Sequence, residues 1–176
     1  MNLVPRTFGR SSRVAAVVAV AALTLVVPAG LAQTPVADTE AEAHPAHIHS
    51  GTCDQLGDVV YPLADVTSPT GEQMGASGGH EVKLSEVNHI DAPLQELLDS
   101  DHAINVHESA EAIDVYIACG DIGGYVITDP AGRTELFVGL AELNDSGHTG
   151  VARLGVGEDP NQTEVSIFLV EPEEMQ

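Results

Sequence analysis

Residues 135–170 read ELFVGLAELNDSGHTGVARLGVGEDPNQTEVSIFLV. Three runs with strand character are separated by two turn clusters. Run 135–143 (ELFVGLAEL) is followed by Asn144-Asp145-Ser146-Gly147, and run 149–156 (TGVARLGV) by Gly157-Glu158-Asp159-Pro160-Asn161. In run 163–170, Val165, Ile167 and Leu169 alternate with Glu164, Ser166 and Phe168. Successive strand side chains point to opposite faces, so a period of two marks a half-buried strand. Asn, Asp, Ser and Gly are the residues that tight turns accept most readily. Short strands with frequent turns predict an all-β Greek-key sandwich or barrel of about eight strands.

The remaining elements are read outward from that segment. Strands are expected at 45–50, 80–87, 103–107 and 114–119. In 80–87, Val82, Leu84 and Val87 are expected to face inward. Residues 51–62 read as a loop with one short extended piece, Val59-Val60-Tyr61, and the Gly/Ser/Thr-rich segment 67–79 as flexible. One short helix is predicted near 93–99, with Asp91 as its cap, Pro93 in its first turn, and Leu94, Leu97 and Leu98 on one apolar face.

The N-terminus reads as a secretory signal peptide over 1–32. Arg6, Arg10 and Arg13 precede an apolar run from Val14 to Val27, and Gly30 and Ala32 suit cleavage after Ala32. The run is short for a membrane span; an uncleaved anchor is the alternative. Cleavage predicts a secreted, extracellular or cell-envelope protein with no membrane association. Residues 33–43 read as a disordered acidic linker, and 44–172 as a single domain. After cleavage, Lys83, Arg133 and Arg153 stand against all 27 acidic residues, a formal excess of 24 negative charges. Such a surface repels nucleic acid and attracts cations. The chain has no Gly-rich phosphate loop, no G-x-S-x-G and no basic-aromatic patch. No feature specifies an oligomeric state.

The chemistry-bearing residues are His44-Pro45-Ala46-His47-Ile48-His49 and Val106-His107-Glu108. In a strand, His47 and His49 point one way and Ile48 the other. Ile104 and Val106 share a face, and His107 lies on the opposite one. If Ile48, Ile104 and Val106 face a core, three imidazoles remain together on the outer sheet surface. Such a set can bind a borderline transition metal, with copper or zinc leading. The alternative is a set of solvated or internally satisfied histidines. His80, after Gly78-Gly79, is the first candidate for a fourth ligand; His89 and His102 are further candidates, and His148 is expected to lie far off on a hairpin tip. In an exported chain, Cys53 and Cys119 are most simply a disulfide, with a pair of soft metal ligands as the alternative.

Two family resemblances rest on these residues. His44-x-x-His47-x-His49, Val106-His107-Glu108 and Ala118-Cys119-Gly120-Asp121-Ile122-Gly123 resemble the copper–zinc superoxide dismutases. The resemblance implies copper ligation by His47, His49 and His107, a non-ligand role for His44, and a Cys53–Cys119 disulfide. Ala46-His47-Ile48-His49-Ser50-Gly51, and the run from Leu97 to His107 with the helix before it, are similar to the chordin-type (CHRD) domains.

Both families place three strands before the H-x-H strand. Here the three strands of 135–170 follow it, which implies a circular permutation, with 125–134 as the new linker and 135–170 inserted beside the H-x-H strand. Residues 54–79 contain no histidine, so the dismutase zinc site is absent. Tyr116 stands where the dismutases carry an arginine that guides superoxide. Two functions follow. One is a secreted copper-binding, dismutase-like protein that meets superoxide weakly or not at all. The other is a non-catalytic extracellular chordin-type module without metal.

Overall fold

The computed structural model describes residues 43–172 except 73 and 77. The expected signal peptide and residues 33–42 of the expected linker lie outside the described residues. The described elements are β1 (His44–Thr52), β2 (Gln55–Thr67), β3 (Val82–Ser85), β4 (Asn88–Ile90), α1 (Leu94–Asp99), β5 (His102–His107), β6 (Tyr116–Asp121), β7 (Ile127–Thr128), β8 (Thr134–Glu142), β9 (Thr149–Val156) and β10 (Thr163–Val170).

Hydrogen-bonded neighbours follow the order β3-β2-β1-β5-β6-β8-β9-β10, and β10 pairs back onto β3. Those eight strands therefore close into an antiparallel barrel. β1, β2 and β3 form a meander, and β5 returns to lie beside β1, which is a Greek-key connection. β4 adds to β10 and β7 to β8. Closure removes the open edges that would template aggregation.

The interior is filled by side chains, as a small barrel requires. Ile48, Ile104, Val106, Leu136, Leu154, Ile167 and Leu169 are fully buried in one cluster, and α1 adds Leu94 and Leu97 to it. The β8–β9 turn is built as the Asn-Asp pair demands: Asn144 and Asp145 both take left-handed backbone, at φ 57° and 55°. β6 and β8 pass so closely that a Cβ at Gly120 would run into the Gly139 carbonyl oxygen and come within 2.8 Å of Val138 Cγ1.

Several expectations are corrected. The strands of 135–170 do belong to the barrel, yet they do not flank the H-x-H strand: β1 lies between β2 and β5, while β8 pairs with β6 and β10 with β3. Residues 51–62 are not mainly loop, because β2 runs from Gln55 to Thr67. Its pairing with β1 is broken by register shifts at His44/Ala46, Ile48/His49 and His49/Gly51. Such bulges interrupt the period of two that reveals a strand. β3 has the opposite phase from that expected: Lys83 is buried, while Val82 and Val87 are exposed. Asp91 does not cap α1, whose N-cap position is Pro93 without a side-chain hydrogen bond. Asp91 instead accepts a 2.6 Å hydrogen bond from Gln162 Nε2. The expected linker 125–134 contains β7 and a turn in which Asp129 accepts hydrogen bonds from Ala131 and Arg133.

Candidate metal centre

β1 and β5 are antiparallel neighbours, with His47 opposite Asn105, Ile48 opposite Ile104 and His49 opposite Ala103. Ile48, Ile104 and Val106 fill the core, so strand alternation sends His47, His49 and His107 to the other face. Their ring centroids lie 4.8 Å (His47–His107), 5.8 Å (His47–His49) and 6.2 Å (His49–His107) apart. One nitrogen from each falls within 4.8 Å of the others.

Backbone carbonyls select which nitrogens those are. His49 Nδ1 donates to the Gly57 carbonyl at 3.0 Å, and His107 Nδ1 donates to the Ile113 carbonyl. A carbonyl can only accept, so each Nδ1 carries the proton and each Nε2 keeps a lone pair. His49 Nε2 is buried without a hydrogen-bond partner. His47 Nδ1 lies 2.9 Å from His107 Nε2 and must be the donor there. For His47 Nδ1 to bind a metal ion, that shared proton would move to His47 Nε2, leaving a neutral imidazole with its lone pair on Nδ1. The donor set is then His47 Nδ1, His49 Nε2 and His107 Nε2. Histidine ligands whose second nitrogen is tied to a carbonyl are the usual arrangement around bound metals.

Charge state favours ligation. Burial pushes the His107 imidazole below its ordinary pKa, aided by His47 and His49, against the opposing Ile113 carbonyl and Asp114. Burial also lowers His47, with His49 adding to it and Asp65 opposing. Both therefore hold a lone pair at neutral pH, and nearby Asp65 and Asp114 favour a cation. Tyr116 packs edge-on against His107, with centroids 5.1 Å apart.

The imidazoles are not on an open sheet surface as expected. His49 and His107 are buried and His47 is half-buried. The chain around Gly57 and Ile113 supplies carbonyls over their far edges. Asn105 is a site residue that the sequence reading missed. It is fully buried, faces His47 across the ladder, and its Nδ2 lies 3.4 Å from His107 Nε2. The available signal was an amide between Ile104 and Val106, on the histidine face of an otherwise apolar strand.

The other histidines lie outside this group. His80 is exposed ahead of β3 and is outside the three-histidine group. His89 is exposed in β4. His102 Nδ1 donates to the Leu97 and Ser100 carbonyls at the end of α1. His44 Nδ1 donates to the Glu108 carbonyl at 2.7 Å. His148 is not isolated: it joins His44 and Glu171 in a second group of metal-competent side chains.

Cys53 and Cys119 form a disulfide, with Cα atoms 5.8 Å apart. It ties the β1–β2 hairpin to β6, the strand beside β5. Cys53 N–H also donates to Asp121 Oδ1 at 2.7 Å. Among the described residues, no helix is long and apolar enough to cross a membrane.

Fold and site together define a closed antiparallel β-barrel with a disulfide and a three-histidine group able to hold a metal ion. No protein-family model matches the chain, and no curated protein or solved structure matches it.

Proposed function

We propose that this protein is an exported, copper-binding relative of the copper–zinc superoxide dismutases, with weak or no dismutase activity. The observation that carries the reading is the convergence of one ring nitrogen each from His47, His49 and His107, with Nδ1 of His49 and of His107 held by backbone carbonyls. Imidazole sites bind copper most tightly among the divalent first-row metals. Strand order supports the kinship. Both resembled families have three strands ahead of the H-x-H strand; here β8, β9 and β10 follow it and close this chain's barrel. A circular permutation accounts for that order, and permutation is tolerated where chain ends lie at a domain surface.

Bound copper supplies one-electron redox chemistry. The chain's own groups keep His47 and His107 neutral, fix the tautomers of His49 and His107, and bury those two rings. Superoxide is an anion, and the local charge comes from Asp65 and Asp114 with no arginine at position 116. That field opposes its approach. The Cys53–Cys119 disulfide supports an oxidising, extracytoplasmic location. α1, leading into β5, favours the second reading, a chordin-type module without chemistry.

Calorimetry with Cu(II) on the chain from residue 33 onward, and on its His47→Ala and His107→Ala variants, separates the two. One copper per chain, lost or greatly weakened in both variants, is expected. Equal uptake in all three, or none, overturns the copper reading. A superoxide assay on the loaded protein then measures how much dismutation survives.

A further inference from the structure

His44, Lys83, His148 and Glu171 form a second cluster, away from the three-histidine group. They come from β1, β3, the β8–β9 hairpin and the end of β10. His44 and Lys83 are buried, and the side chains of His148 and Glu171 are only 12% and 22% exposed. Lys83 Nζ donates to His44 Nε2 at 2.8 Å and lies 3.4 Å from Glu171 Oε2. His44 Nε2 is 3.5 Å from Glu171 Oε1, and His148 Nε2 is 3.5 Å from Glu171 Oε2. The two rings meet edge to face, with centroids 5.3 Å apart.

Three features point to a cation seat. First, one atom each from His44, His148 and Glu171 fall within 4.8 Å of one another. The carboxylate stands between the two rings, with Oε1 3.5 Å from His44 Nε2 and Oε2 3.5 Å from His148 Nε2, and two histidines with a carboxylate are a zinc donor set. Second, the network is incompletely satisfied. His148 Nδ1 and Glu171 Oε1 are buried without hydrogen-bond partners. The contact of Glu171 Oε1 with His44 Nε2 does not help, since that nitrogen already accepts from Lys83. Buried polar groups left unmatched call for an explanation, an ion among them. Third, a cation is already there: the Lys83 ammonium spans His44 and Glu171.

We propose that His44, His148 and Glu171 form a second divalent-cation site, of the two-histidine, one-carboxylate zinc class, in which the Lys83 ammonium is the resident cation and zinc must displace it. Two histidines and a carboxylate are an established zinc donor set. Lys83 sets the affinity, because its charge repels the incoming ion at close range in a poorly solvated place. The site is independent of the copper reading.

The test uses the chain from residue 33 onward carrying His47→Ala and His107→Ala, which removes the first group. Zinc titrated by calorimetry should bind at one per chain. Adding Lys83→Met should tighten it by at least about tenfold. Adding His148→Ala instead should abolish it. No zinc binding with or without Lys83→Met, no tightening by Lys83→Met, or unchanged affinity in His148→Ala overturns the proposal. Should Lys83→Met fail to fold, imidazole NMR of the double variant decides: zinc should move the His44 and His148 ring signals together, and unmoved signals refute the site.

Discussion

Acidification is the most informative perturbation of the three-histidine centre. His47 and His107 both have imidazoles lowered in the folded protein, chiefly by burial and then by neighbouring rings. Metal can bind only neutral imidazole, so protons compete once pH falls below those lowered values. Affinity should therefore hold level from pH 8 through about 6.5, the ordinary histidine value, and decline only once pH passes below the lowered values of His47 and His107. Each ligand that must lose a proton costs at most about tenfold per pH unit, so His47 and His107 together cost at most about a hundredfold.

The same groups set the pH dependence of the metal-free fold. Their folded values lie below the unfolded one, so the unfolded chain takes up protons first. Their contribution is present above about pH 6.5 and is lost as pH falls through the folded values. His148, lowered mainly by burial, acts in the same direction. Glu171 acts in the same direction in a lower window, below about pH 4.5: burial opposes, but its basic neighbours, the Lys83 ammonium among them, outweigh it. Metal at a hundredfold excess over its Kd should add about 2.7 kcal/mol, or about 10 °C in Tm for a barrel of this size. Chelator-competition calorimetry and thermal melts from pH 8 to 5 measure both effects. Copper affinity that stays flat down to pH 5, or an unchanged pH slope in His47→Ala, would refute the reasoning.

Four further outcomes are expected. Cys53→Ser with Cys119→Ser opens a loop of 66 residues and should cost about 4 kcal/mol in urea unfolding, an effect that reductant reproduces in the unsubstituted protein. Gly120→Ala forces a methyl onto the Gly139 carbonyl and should lower Tm more than Gly139→Ala, where a Cβ meets open space. Leu154→Ala, at a fully buried barrel position, should cost about 2–5 kcal/mol in the same unfolding assay. In the copper-loaded protein, Tyr116→Arg places positive charge beside His107 and should raise the superoxide rate, with the gain fading as salt is added.

The legible part of the site followed from one rule. Because Ile48, Ile104 and Val106 belong in a core, His47, His49 and His107 had to share the other face, and they do. The rule fails where pairing is irregular. β2 escaped notice because three register shifts against β1 disrupt its alternation. The phase of β3 was misread because a buried lysine violates the apolar-in expectation; Lys83 turns inward because Glu171 and His44 receive its ammonium. His148 is outside the three-histidine group, and no local pattern in the sequence signals its contact with His44. It meets His44 only because closure of the barrel brings the β8–β9 turn back to the start of β1.

Local chemistry thus settles much from sequence alone: alternating strands, the Asn144-Asp145 turn, the apolar face of α1, and which histidines share a side. Those properties depend on residues a few positions apart, where backbone geometry is nearly fixed. Partners distant in the chain depend on barrel closure. Only the folded chain joins β10 to β3, sets Gly57 and Ile113 carbonyls against two imidazoles, and buries Lys83 between His44 and Glu171. Each of those contacts depends on where strands far apart in sequence come to lie, and that is decided by packing the whole core at once.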